Sequence, residues 1–270
     1  MNAASLHAGD PLVCDQLGVG LPGRPLLATV HARLAPGRFT AILGPNGAGK
    51  STLLSMLSGQ RAPRSGSVSL GGRALSALGA LELARLRAVL PQETAVAFDF
   101  TVQEVVEMGR FPHRQSPSRS EARIARDAME ATGVAHLAQR GVNTLSGGER
   151  ARAHLARALA QIWEPRPDGA TRWLLLDEPT AALDLAHQHQ AMALVRRWAA
   201  EQGIGVVAVL HDLNLALRYA HDVVLMGAGR CDVGPVEQTL DAAAIARVWG
   251  VECSEVRASD GVPQFLVAAG

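Results

Sequence analysis

The sequence predicts an α/β fold built around a largely parallel sheet. Three observations point there. Short apolar runs of strand length alternate with stretches of helical periodicity. A glycine-rich turn stands where one such run gives way to a helix. And 270 residues, 48% of them hydrophobic and 19% charged, are enough to bury a full core as one large domain or two small ones.

In chain order, residues 13–19 and 28–34 read as strands separated by Leu21-Pro22-Gly23-Arg24-Pro25. Residues 39–43 form a short buried strand, followed by the glycine-rich turn and a helix over 50–58. Residues 68–70 and 86–90 have strand character. Between 101 and 160 the periodicity becomes helical, with Val102, Val105, Val106 and Met108, then Ile124, Ala128 and Met129. That stretch is expected to be a helical subdomain inserted into the sheet. Strands return at 173–177, 206–210 and 223–226. Residues 164–172 hold two prolines and a glycine and read as a surface loop. The tail reads as a helix over 240–249 and a hairpin of 253–256 with 264–267, turning at Ser259-Asp260-Gly261.

Composition works mainly by exclusion. A net charge of +1 supplies no broad field for nucleic acid. Cys14, Cys231 and Cys253 are odd in number and lack any CxxC spacing, which fits a reducing cytosol better than a disulfide framework or a zinc site. No apolar run approaches the roughly 20 residues of a spanning helix. Residues 1–11 lack the basic and apolar regions of a secretion signal. One asymmetry stands out: Lys50 is the only lysine among 26 basic residues, the others being arginine.

That lysine lies in Gly44-Pro45-Asn46-Gly47-Ala48-Gly49-Lys50-Ser51-Thr52, a full match to GxxxxGK[ST] between strand and helix. Glycines let backbone N–H groups wrap phosphates, and the helix that follows adds its positive end. Lys50 supplies a compact charge for the β- and γ-phosphates, and the Ser51 hydroxyl is a magnesium ligand. An arginine fork would fit that place poorly. Trp173-Leu174-Leu175-Leu176-Asp177-Glu178 is an apolar strand ending in two acids. Asp177 fits the second magnesium ligand of a P-loop site, and Glu178 is placed to orient or deprotonate the attacking water. Leu145-Ser146-Gly147-Gly148-Glu149 opens a helix through Ala160, a second anion-binding helix start. Ser146 and Glu149 can equally form a capping box there, and the two uses are compatible.

With these motifs in place, the chain resembles the ATP-binding subunits of ABC transporters over nearly its whole length. The motifs stand in that family's order: Gly44–Thr52 as Walker A, Gln92 as the Q-loop, and Leu145–Glu149 as the signature. Leu174–Asp177 with Glu178 is similar to Walker B and its glutamate, Ala182-Leu183-Asp184 to the D-loop, and His211 to the switch histidine. The resemblance implies a P-loop NTPase with a RecA-like core, an antiparallel β subdomain and the inserted helical subdomain. It implies one ABC ATPase unit over 1–270: a nucleotide-binding core of 1–90 and 172–230, a helical subdomain of 91–171, and a C-terminal helix and hairpin over 231–270. Glu178, His211 and Gln92 would be catalytic, and Ser51, Gln92 and Asp177 would face magnesium. Nucleotide would be bound by Gly44 through Thr52 of one copy and by Ser146, Gly147 and Gly148 of another, with Asp184 communicating between them.

Finer resemblance concerns cargo. FDFTVQEVVEMGRFPH at 98–113 and VLHDLNLALRY at 209–219 are similar to importers of iron chelates, haem and cobalamin. ATGVAHLAQR at 131–140, the 164–172 loop and AALDLAHQHQ at 181–190 look most like hemin-importer ATPases. The resemblance thus implies a homodimeric ATPase on the cytoplasmic face of the inner membrane. ATP and magnesium would be its cofactors, two permease subunits its direct partners, and a periplasmic haem-binding protein an indirect one. Ferric siderophore or cobalamin import, and a soluble ABC ATPase without transport, are the alternatives. The family often places an aromatic side chain ahead of the P-loop to stack on adenine. The matching position is near Leu21, and no aromatic occurs between Asp15 and Arg38. Weak discrimination between ATP and GTP is therefore expected.

Two local features have simpler readings. His187 and His189 lie two apart on a predicted helix and point in different directions, so a solvated face is expected rather than a metal site. Arg110, Arg114, Arg119, Arg123 and Arg126 form a basic stretch that is diluted by Glu121 and Asp127. It could face the permease or anionic lipid headgroups, and a solvated face is at least as strong an expectation.

Overall fold

A computed structural model describes residues 9–20, 23, 25–92 and 98–267. The chain opens with β1 (Leu12–Val19), β2 (Ala28–Leu34) and β3 (Phe39–Leu43), then α1 (Lys50–Leu57). Next come β4 (Ser67–Leu70), β5 (Arg73–Ala74), α2 (Ala80–Leu86) and β6 (Arg87–Leu90). Three helices follow, α3 (Val102–Glu107), α4 (Glu121–Ala131) and α5 (Gly147–Gln161), joined through short 3-10 turns. Then β7 (Trp173–Asp177), α6 (Leu185–Gln202), β8 (Gly205–Val209), α7 (Leu213–Tyr219) and β9 (Asp222–Gly227) complete the central sheet's parallel part. The end of the chain forms β10 (Arg230–Pro235), α8 (Val236–Thr239), α9 (Ala242–Trp249), β11 (Cys253–Arg257) and β12 (Pro263–Val267).

The central sheet has the order β10-β9-β3-β8-β7-β6. Its strands run parallel except β10, which returns antiparallel on β9. Both faces are covered, so β3 and β8 are buried at every position. The pleat divides each strand between two cores. On β7, Leu174 and Leu176 face one core with α5 and α6, while Trp173 and Leu175 face the other with α1. A second sheet, β2-β1-β4-β5, is antiparallel. Its β2 alternates buried and exposed residues without a break, as expected of a sheet with one wet face. A third core, built on Val102, Val106, Ile124, Ala128 and Ala156, holds α3, α4 and α5 together.

Differences from the sequence expectation have local causes. Residues preceding β6 are helical: Leu86 ends α2 rather than opening the strand. β10 has no counterpart among the strands expected from the sequence: it holds only Cys231 and Val233 as apolar side chains and ends in Gly234-Pro235. It forms because Ala228 and Gly229, at φ 51° and 72°, make the tight hairpin that returns the chain onto β9. The helix expected from residue 240 starts at Ala242, where Asp241 accepts from the Ala244 N–H at 2.7 Å. The tail hairpin pairs Cys253 with Val267 through Arg257 with Pro263. Among the described residues, no helix is long and apolar enough to cross a membrane.

The basic stretch is not a uniformly solvated face. Arg110 is buried, pairs with Glu121 at 2.9 Å and donates to the Ala160 carbonyl at 2.7 Å. His187 bonds Asp184 and half-buried His189 meets the Tyr219 hydroxyl at 2.8 Å, so the two histidines serve different neighbours. For His189 the solvated-face expectation fails because α7 packs over it.

Gly205 opens β8 against the ring of Trp173; a Cβ there would lie 2.4 Å from the ring. Gly205→Ala is expected to lower stability by about 1–3 kcal/mol. Urea unfolding checks this, and an unchanged midpoint would mean that the β7–β8 pairing tolerates a shift of the indole.

Candidate active site

The sheet order builds the site. Strands β6, β7 and β8 lie side by side and parallel, so their carboxyl ends open on one edge. Gln92 follows β6 by two residues, Glu178 follows β7 by one, and His211 follows β8 by two. The central one therefore sits between the other two. Gln92 Nε2 donates to Glu178 Oε2 at 2.9 Å, and His211 Nε2 lies 2.7 Å from Glu178 Oε1, a bond that requires the proton on Nε2. Glu178 has φ 50°, a left-handed backbone that is costly for a residue with a Cβ. The two hydrogen-bond donors, and the pairing of the preceding Asp177 with Val209 of β8, hold it there.

The glycine-rich loop lies beside this cluster, between β3 and α1. Gly44, at φ 151°, passes so close to β9 that a Cβ would meet the Met226 carbonyl at 2.1 Å. Gly49 adopts φ 95° at the N-cap of α1, with no side chain occupying the helix start. Lys50 is buried, and its Nζ donates to the carbonyls of Gly44 at 2.9 Å and Pro45 at 3.1 Å. Burial lowers its pKa, while Glu178 and Asp177 oppose that shift. Ser51 Oγ donates to Asp177 Oδ1 at 3.0 Å. Burial raises the Asp177 pKa most, the Ser51 bond opposes it, and the neighbouring Glu178 adds to the rise.

Asn46, Gly47, Gly49, Lys50, Ser51, Thr52, Gln92, Glu178 and His211 all line one open cleft of about 540 Å³, together with Leu27. Ala48 turns the other way and packs against the core beneath α1. Leu27 went unnoticed in the sequence, since a leucine at the head of a strand carries no chemical signal. Its side chain is 40% exposed, so the cleft has an aliphatic wall. The aromatic position expected near Leu21 lies outside the described residues.

Ser146, Gly147, Gly148 and Asp184 do not line this cleft. Ser146 is exposed at the start of α5, where its Oγ accepts from the Glu149 N–H at 3.2 Å and its N–H donates to Glu149 Oε2 at 2.8 Å. The capping box is present, and the Ser146 hydroxyl also bonds the Glu149 carboxylate. Asp184 is exposed at the N-cap of α6, accepting from the His187 backbone at 2.9 Å and its Nδ1 at 2.8 Å. Leu185 beside it is 70% exposed. One copy thus carries a phosphate loop with a water-orienting cluster and, off that cleft, a second helix start, whose Gly147 lines a neighbouring pocket of about 390 Å³ with Gln92, Asp177 and Glu178.

Comparison with known proteins is consistent along the chain. Residues 27–181 match the family described as ABC transporter. The chain belongs to that family. It is 55% identical to the hemin import ATP-binding protein of Gloeobacter violaceus, over 79% of this chain and 78% of that one. The protein of the same name from Burkholderia pseudomallei is 44% identical over 96% of this chain and all of its own length. Among solved structures, a metal-chelate type ABC transporter in an inward-facing conformation is similar at TM-score 0.80 and 26% identity, covering 97% and 98% of the two chains. A dimeric bacterial ABC transporter cassette is similar at TM-score 0.71 and 25% identity, covering 83% and 98%. The expected fold is present, with its parallel core, its antiparallel β sheet and its inserted helices. The chain is an ABC-type, ATP-binding ATPase.

The hard oxygen donors Ser51 and Asp177 suit magnesium, which takes few protein ligands and keeps the rest as water and phosphate. Among the described residues no cluster of three or more His, Cys, Asp or Glu could hold a metal unaided.

Because the chain has one lysine, a lysine-selective ¹⁵N label reports Lys50 alone. Its titration midpoint in the nucleotide-free protein is expected below 10.5, the ordinary value, since burial disfavours the charged form. The ammonium charge is then lost earlier as pH rises, and Mg-ATP should move the midpoint back up. A free-protein midpoint at or above the ordinary value would contradict this account of the loop.

Proposed function

We propose that the chain is the ATP-hydrolysing subunit of a bacterial haem importer, acting as a head-to-tail homodimer. The observation that carries hydrolysis is the Glu178 carboxylate held between Gln92 and His211 over the Lys50 cleft. The hemin import relatives, matching nearly end to end, support haem as cargo.

Each part has a task. The loop from Gly44 to Thr52 wraps the phosphates, and Lys50 exchanges its two loop carbonyls for β- and γ-phosphate oxygens. Ser51 and Asp177, with Gln92 nearby, would hold magnesium, which supplies charge neutralisation on those phosphates when bound. Glu178 accepts a hydrogen bond from water and aims its oxygen at the γ-phosphorus. The new P–O bond forms as the bridge to ADP breaks, and the proton leaves through the carboxylate to phosphate. Gln92 and His211 fix Glu178 during this step, and His211 is within reach of the γ-phosphate. Catalysis is positioning and charge stabilisation.

Ser146, Gly147 and Gly148 of a second copy would close over the γ-phosphate, because their own cleft does not receive them. Asp184 and Leu185 would lie at that junction. Within each copy, 1–90 and 172–230 would be the nucleotide-binding core, 91–171 the helical subdomain and 231–270 a tail. The separate α3–α4–α5 core supports that division, although β10 carries the core sheet past residue 230. Two permease subunits would bind the dimer at the cytoplasmic face of the inner membrane, with a periplasmic haem-binding protein as the indirect partner.

Glu178→Gln keeps the shape but removes the base; its amide nitrogen donates rather than accepts, so the Gln92 amide has to turn its oxygen toward it while His211 keeps its bond. Nucleotide binding is expected to persist while turnover falls by roughly 100-fold or more. Normal steady-state hydrolysis by this variant would sink the assignment. Cargo is tested by growth: a strain lacking the gene should fail with haem as sole iron source while still using ferric siderophores. Loss of siderophore use with haem growth intact would move the cargo.

A further inference from the structure

Helix α5 touches the core at both ends, in two different ways. At its N-terminal end the contact is close and made without charge. A Cβ on Gly148 would lie 3.3 Å from the Ala182 carbonyl, and one on Gly147 would lie 3.7 Å from the Ala182 methyl. At its C-terminal end the contacts are polar and several. Gln161 Nε2 donates to the carbonyls of Ala84 at 2.7 Å and Arg87 at 3.0 Å, where α2 meets β6. Arg172, the residue before β7, donates from Nη1 to the carbonyls of Ile162 at 2.5 Å and Trp163 at 2.9 Å. Its Nη2 reaches the Gln202 carbonyl, at the end of α6, at 3.2 Å. Arg172 is only 4% exposed.

The last carbonyls of a helix lack intrahelical partners and carry the negative end of its dipole. A guanidinium fork spreads its donors over separate nitrogens, so Arg172 meets the ends of two helices at once, Nη1 on the α5 side and Nη2 on the α6 side, where the compact ammonium of a lysine has one donor centre. Arg172 therefore joins the C-terminal ends of α5 and α6 to the base of the strand that ends in Asp177 and Glu178. The signature residues sit at the opposite end of α5, free of such anchors.

We infer that Arg172 is a positioning residue for ATP hydrolysis. It pins the C-terminal end of α5 to the base of β7, so that the helix swings about that end and carries Ser146 to the nucleotide held by the partner copy. Fifteen residues make α5 about 22 Å long, so a tilt of roughly 5° moves Ser146 by about 2 Å. Misplacement on that scale is enough to cost about 100-fold in rate. A loose pivot would lose the aim of Ser146 while leaving the Lys50 loop untouched.

The inference rests on the proposed head-to-tail dimer, and the test separates the two. The full-length chain carrying Glu178→Gln is compared with the same chain also carrying Arg172→Lys, by sedimentation across a range of Mg-ATP. The single variant is expected to dimerise with ATP, and the double variant to need about tenfold more nucleotide or to stay monomeric. Arg172→Lys alone should lose kcat while its affinity for a fluorescent ATP analogue in the monomer is unchanged. If Glu178→Gln stays monomeric with ATP, the dimer reading fails, whatever Arg172 does. If both chains dimerise at the same ATP concentration, the pivot is refuted and the dimer stands. A loss of analogue affinity equal to the loss of kcat would also overturn it, as general damage. Should Arg172→Lys not fold, Gln161→Met loosens the same joint from the β6 side and is read against the same outcomes.

Discussion

Asp177 and Glu178, at the end of β7, are the point on which the rest of the structure depends. Two adjacent acids in a half-buried position repel each other and resist desolvation. They are tolerable there because Lys50, the Ser51 hydroxyl, the Gln92 amide and His211 surround them. Those four come from three segments of the chain, the start of α1 and the residues after β6 and β8, and the parallel sheet delivers them to one edge. The left-handed turn at Glu178 is the local cost of pointing its carboxylate at the neighbouring strands' ends rather than along its own.

The same geometry supports the proposal that two copies share each site. The cleft is open, lined by the phosphate loop on one side and the Glu178 cluster on another, with an aliphatic Leu27 wall. The second helix start, exposed at Ser146, does not line that cleft. In the proposed head-to-tail dimer, the two half-sites of one chain would be completed only when two chains meet. Dimer closure and site completion then become the same event, which is how a phosphoryl transfer can be coupled to movement.

Much of this was legible in the sequence for local reasons. The Gly44–Thr52 loop and the acid pair after β7 are contiguous, and their chemistry is set within a few residues. Ser146 and Glu149 announce a helix start three residues apart, and the capping box is there. Gln92 and His211 are different. Neither has a local signal, and they reach Glu178 across 86 and 33 residues because β6 and β8 flank β7. Only family resemblance named them; the sheet order supplies the physical reason. Arg110 and His189 misled because side-chain burial depends on which elements pack over them. Leu27 and Arg172 were missed for the same reason, as their roles exist only once distant backbones are adjacent.

The central claim is that each catalytic site is shared between two copies. The most direct measurement is the ATPase rate per chain, at saturating Mg-ATP, over a dilution series whose oligomeric state is followed by sedimentation. Rate per chain should fall in step with the loss of dimer and approach zero for the monomer. A rate that stays constant down to concentrations where the chain is monomeric would contradict the account, since one copy would then hold a complete site.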